Sequence, residues 1–89
     1  MKVAKTIKVI GKVQQVGFRF YTHKKALELG ITGFVQNKKD GSVYIEAEGN
    51  ELDMEHFILW CQKGPQWARV DKIQAFECPV FNSDSFAIK

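Results

Sequence analysis

Hydrophobic and polar residues alternate between Lys5 and Lys12, with Ile7 and Val9 on one side and Thr6 and Lys8 on the other. A period of two predicts a half-buried strand, although Ile10 falls on its polar side. From Phe18 the period lengthens. Phe18, Thr22, Ala26 and Leu29 form one stripe, which predicts a helix over 18–29 with Leu27 pointing away. Gly30 is placed to stop that helix in a left-handed conformation. A second strand is expected from Ile31 to Asn37, then a turn over Lys38–Gly41 whose Asp40-Gly41 pair tolerates positive φ at both residues. The third strand, Ser42 to Glu48, sends Val43, Ile45 and Ala47 to one face and Tyr44, Glu46 and Glu48 to the open one. A second helix spans 52–63, with Met54, Phe57, Ile58 and Cys61 inward and Leu52 and Leu59 outward; Gly64-Pro65 ends it. Val70 to Glu77 reads as a fourth strand and Phe86 to Lys89 as a short edge piece.

The order β-α-β-β-α-β predicts an α+β, ferredoxin-like sandwich, two helices packed on one face of an antiparallel sheet. At 89 residues the chain reads as a single domain, 1–89, without internal repeats. Folding is expected to bury roughly 64% of the extended-chain surface, enough for one core without a metal or disulfide staple. The longest apolar run, Phe57 to Cys61, is far too short for a membrane span. Lys2, Lys5 and Lys8 interrupt any signal-peptide core, so a cytoplasmic protein is expected. Cys61 and Cys78 read as two reduced, mostly buried thiols. A net charge of +3 draws a small anion but falls short of a nucleic-acid footprint. The outward leucines are too scattered to mark an interface, and a monomer is expected.

This architecture hosts many functions, so chemistry must come from particular residues. The junction of the first strand and first helix, Val13-Gln14-Gln15-Val16-Gly17-Phe18-Arg19, is the most unusual stretch. A helix start leaves four N–H groups without intrahelical partners, and the helix dipole adds positive potential. If the preceding loop curls, those donors converge into a nest sized for phosphate, with the Arg19 guanidinium closing over it. The plain alternative is an ordinary turn with a surface arginine. Asn37 ends the second strand, where the topology brings it toward that loop. Its amide has enough donors and acceptors to hold and orient a water; the plain alternative is a turn cap.

Together the two stretches resemble the acylphosphatases. Gly11-Lys12-Val13-Gln14-Gln15-Val16-Gly17-Phe18-Arg19 is similar to that family's G-x-V-Q-G-V-x-F-R phosphate loop. Gly30-Ile31-Thr32-Gly33-Phe34-Val35-Gln36-Asn37, with Asp40-Gly41, resembles its G-x-x-G-x-V-x-N-x-x-D-G stretch. Gly64-Pro65, Ala68-Arg69-Val70 and Phe86-Ala87-Ile88 extend the likeness over nearly the whole chain. The resemblance implies a small ferredoxin-like enzyme that hydrolyses the carboxyl–phosphate anhydride of acyl phosphates. It implies Arg19 as the phosphate-binding arginine, Asn37 as the water-orienting asparagine, and Gln15, Val16, Gly17 and Phe18 as the loop supplying N–H donors. Gln15 departs from the pattern, standing where glycine is usual; if positive φ is needed there, strain of the order of 1 kcal/mol follows.

An acyl phosphate already carries a good leaving group, which suits a site lacking an obvious carboxylate–histidine base. No Walker lysine, paired-aspartate metal motif or redox signature is present, so neither metal nor cofactor is expected. Two other readings stand beside this one. Gln15 motivates a catalytically weak phosphate or acyl-phosphate binding domain. An RNA-binding module shares the topology, but Gly17-Phe18-Arg19-Phe20-Tyr21 opens a helix here and the open face carries carboxylates, so no nucleic acid is expected. His23 and His56 read as solvent-facing, Trp60 and Trp67 as packing residues, and Lys38-Lys39 as solvating the turn or steering an anion.

Overall fold

The computed structural model describes residues 1–89. The elements are β1 (Lys2–Lys12), α1 (Phe18–Leu29), β2 (Thr32–Asn37), β3 (Val43–Asn50), α2 (Glu51–Lys63), β4 (Arg69–Cys78) and β5 (Phe86–Ile88). The sheet order is β4-β1-β3-β2-β5, and both helices pack on one face, as the sequence pattern predicts. Each neighbouring pair among the four longer strands is antiparallel. β5 departs from the expected antiparallel sheet: it adds to β2 in parallel, with Val35 opposite Ile88, and makes the sheet mixed. Residues 79–85 carry the chain from β4 at one edge, past Glu48, to the opposite edge, where β5 starts beside Gly33.

The core fills the space between sheet and helices. Ile7 and Val9 from β1, Val43, Ile45 and Ala47 from β3, and Val35 from β2 meet Phe18 and Ala26 of α1 and Met54, Phe57 and Cys61 of α2. Leu27, Leu52 and Leu59 are exposed, as their positions off the helical stripes require. α1 ends at Gly30 in the left-handed region (φ 69°). α2 is capped by the Asn50 side chain, which accepts from the Leu52 N–H. At Gly33 a Cβ would run into the carbonyl oxygen of Glu46, so glycine is what lets β2 approach β3. Both cysteine thiols are free; Cys61 is buried, and that burial pushes its pKa up.

Two local expectations change. In the turn only Gly41 takes positive φ (92°), because the connection runs from Lys38 to Ser42 rather than through two residues. Asp40 instead accepts from the Ser42 N–H and hydroxyl at 3.0 and 2.6 Å.

Glu48 is the larger surprise. Its alternation places it on the open face, yet it is 0% exposed because residues 81–83 cross over it. Its carboxylate accepts from the N–H groups of Phe81, Asn82 and Ser83 at 2.6–2.8 Å, and Lys2 lies 3.5 Å away. Asn82 adopts positive φ (54°), which curls these donors around the anion. Burial by itself raises the Glu48 pKa; the bonds from Asn82, Ser83 and Phe81, with Lys2, outweigh it and leave the net shift downward. A lowered folded pKa stabilises the protein above the unfolded value of about 4.3, and that contribution is lost as pH falls through the folded value. Glu48→Gln is therefore expected to lose about 2 kcal/mol in urea unfolding at neutral pH. The gap to the parent chain should narrow below about pH 4, as the parent carboxylate protonates.

Candidate active site

Val13 and Phe18 are both buried, so the segment between them is slung across two core anchors. Phe18 packs against the half-buried Trp60, ring centroids 5.6 Å apart. Within the sling, Gln15 (φ 62°) and Gly17 (φ 78°) both lie in the left-handed region. Alternating handedness curls the backbone, the geometry that turns successive N–H groups toward one point. At Gly17 an added Cβ would also sit 3.3 Å from the Tyr21 ring.

α1 begins without the usual N-terminal partners. Gly17 supplies no side-chain cap, and the first turn contains no acidic residue. The first backbone bond into the helix runs from the Tyr21 N–H to the Gly17 carbonyl, leaving the earlier N–H groups of the first turn outside the helical ladder. A helix end open in this way is an anion site in waiting.

Gln14 fixes the sling to the neighbouring turn. Its Nε2 donates to the carbonyl oxygens of Lys38 and Ser42, at 2.7 and 2.9 Å. The loop before α1 is thereby bolted to the turn that follows Asn37. Sequence reasoning missed this role; its signal was the glutamine preceding Gln15 in the loop motif, a neutral side chain able to satisfy two carbonyls at once. Asp40 stiffens the same turn, and hydrogen bonds from Lys8 and Ser42 hold its carboxyl well below the usual carboxylate range.

Gln15, Gly17, Phe18, Arg19 and Asn37 line one cavity of about 250 Å³, together with Val13, Phe20 and Ile88. Of the predicted site residues, Val16 alone is absent from that lining; its half-buried side chain packs on the core. The Arg19 Nη1 donates to the Lys89 main-chain oxygen at 2.8 Å. That bond ties the guanidinium to the end of β5 and leaves most of its five N–H donors free. The Asn37 Oδ1 is buried and has no hydrogen-bond partner in the protein. The turn-cap reading of Asn37 requires a backbone N–H bonded to that oxygen, and the protein supplies none.

Other candidates lie elsewhere. His23 is half-buried rather than solvent-facing, its ring 6.1 Å from Phe86, and does not line the cavity. His56 is exposed on α2. Trp67 is 71% exposed and lines a separate cleft with Tyr21 and Trp60; the Gly64-Pro65 turn carries it outward instead of into the core. The Lys38 ammonium rests 4.7 Å from the Tyr44 ring centroid, on the open face of the sheet.

The left-handed Gln15 answers the question its position raises: the loop does use positive φ there. Gln15→Gly should relieve strain of about 1 kcal/mol, offset in part by the greater freedom glycine gains when unfolded. A net stabilisation of about 0.5 kcal/mol, read from the urea midpoint at unchanged slope, is expected.

Known proteins resemble this chain along nearly its whole length. The family model for acylphosphatase matches residues 5–88. The acylphosphatase of Archaeoglobus fulgidus is 42% identical over 86 residues, covering 97% of each chain. That of Mannheimia succiniciproducens is 52% identical over 66 residues, covering 74% of this chain and 73% of its own. The crystal structure of acylphosphatase from Bacillus subtilis superposes with a TM-score of 0.95 at 32% identity, covering 98% of each chain. Sequence and architecture thus agree along almost the full length, and the chain belongs to the acylphosphatase family.

Proposed function

We propose that the cavity at the N-terminus of α1 is where this chain hydrolyses the carboxyl–phosphate anhydride of a small acyl phosphate, giving carboxylate and inorganic phosphate. The observation that carries the reading is the pairing, in one cavity, of an uncapped helix start and Arg19 with the unpartnered Asn37 Oδ1. The N–H groups of the 15–19 segment and the Arg19 guanidinium hold the phosphoryl oxygens, where charge spreads in the transition state. Asn37 accepts a hydrogen bond from the attacking water through Oδ1 and sets it in line behind phosphorus. The water oxygen bonds to phosphorus as the bond to the carboxyl oxygen breaks, and the leaving carboxylate takes the electron pair. No carboxylate or imidazole lines the cavity, so the water's proton goes to a phosphoryl oxygen.

Every group used here comes from one copy of the chain, so the reading takes residues 1–89 as a single-domain monomer. No helix is long and apolar enough to cross a membrane. A cytoplasmic setting is part of the same proposal, in keeping with the two free thiols. The test is direct hydrolysis of benzoyl phosphate beside an Arg19→Ala control. Turnover by the parent chain that collapses in the control supports the reading; tight phosphate binding without turnover replaces it with a binding domain.

A further inference from the structure

An acyl phosphate has two unlike ends, and the groups above hold only the phosphoryl end. In-line displacement places the leaving carboxylate opposite the attacking water. With the water held at the buried Asn37 Oδ1, the acyl group extends toward the cavity's opening. Two apolar side chains stand exposed in that lining: Phe20, 59% exposed, and Ile88, 46% exposed. Phe20 comes from α1 and Ile88 from β5, and both line the one cavity. The Phe20 ring is set edge-on to Tyr21, centroids 5.1 Å apart. Parallel pairing with β2 places Ile88 beside Val35, two residues before Asn37. The bond from Arg19 to the Lys89 main-chain oxygen draws the end of β5 onto the first turn of α1.

We infer that Phe20 and Ile88 form an acyl subsite that selects aromatic or bulky apolar acyl phosphates over acetyl phosphate. This rests on the catalytic reading above. An aromatic acyl group removes apolar rim surface from water, and its ring meets Phe20 in the offset or edge-on arrangement that aromatic pairs prefer. A methyl group covers too little of the rim to gain comparably.

The test compares kcat/KM for benzoyl and acetyl phosphate in the parent chain, Phe20→Ala, Phe20→Leu and Ile88→Ala. Phe20→Ala should lower the benzoyl-to-acetyl ratio about tenfold, Ile88→Ala about threefold, and Phe20→Leu should recover part of the loss. Inhibition by inorganic phosphate should shift less than about twofold, since the phosphoryl end is held elsewhere. Phenacylphosphonate and acetonylphosphonate, in which a methylene replaces the bridging oxygen, report the same preference by calorimetry without turnover. An unchanged ratio in both alanine variants, or equal losses on both substrates, overturns the subsite. A parent chain that hydrolyses neither substrate overturns the catalytic reading instead, and the phosphonate pair then decides the subsite.

Discussion

Arg19→Ala is expected to lower kcat/KM for benzoyl phosphate by about 10³-fold, with competitive inhibition by inorganic phosphate nearly abolished. The guanidinium is the one cationic side chain lining the cavity, and only its Nη1 bond to Lys89 is taken up within the protein. Its loss removes charge stabilisation in the ground state and more of it in the transition state, so KM should rise and kcat should fall. Stability should drop by no more than about 1 kcal/mol, because the bond to Lys89 lies at an exposed edge. Lysine is a poor rescue: a point charge on a shorter stem does not reproduce the fork that spans a phosphoryl group and the Lys89 oxygen together. Steady-state kinetics with a phosphate inhibition series, beside a urea melt, checks each part.

Asn37→Ala should separate the two halves of the mechanism. Turnover is expected to fall by about 10²–10³-fold while phosphate inhibition shifts less than threefold, since the proposed mechanism sets the amide against water rather than the anion. Stability should change by no more than about 1 kcal/mol, because the Asn37 Oδ1 makes no hydrogen bond within the protein for the substitution to break. Lost turnover at nearly unchanged stability is the mark of a group retained for chemistry. If purified Asn37→Ala hydrolysed benzoyl phosphate as fast as the parent chain, the water-positioning role would be wrong.

Features written in local periodicity were legible in the sequence. The stripe Phe18, Thr22, Ala26 marked α1 to the residue, and Gly30 and Gly64 stopped the two helices where expected. The site's skeleton was legible too, because a strand end, a short loop and a helix start put Arg19 and Asn37 on one side of the fold. Features that depend on distant residues were not. β1 begins at Lys2 rather than Lys5 because β3 runs on to Asn50 and pairs with it, which no pattern inside β1 announces. Glu48 looked exposed because alternation reports the face of a sheet, not whether a later loop covers it. Trp67 looked like a packing residue because size and apolarity say nothing about the direction a turn takes. Gln14 joins two carbonyls on a loop 24 and 28 residues away, and the unmatched Asn37 Oδ1 is a fact about its surroundings.

The central claim is that one anion sits in the curl before α1, gripped by backbone N–H groups and Arg19 beside Asn37. Titrating inorganic phosphate into the ¹⁵N-labelled chain and following the amide signals tests it most directly. The largest shifts should fall on the 15–20 backbone amides, the Arg19 side chain and the Asn37 side-chain amide, and should vanish in Arg19→Ala. Shifts concentrated elsewhere, such as around Lys8 and Gly41, with the 15–20 amides still, would contradict the account.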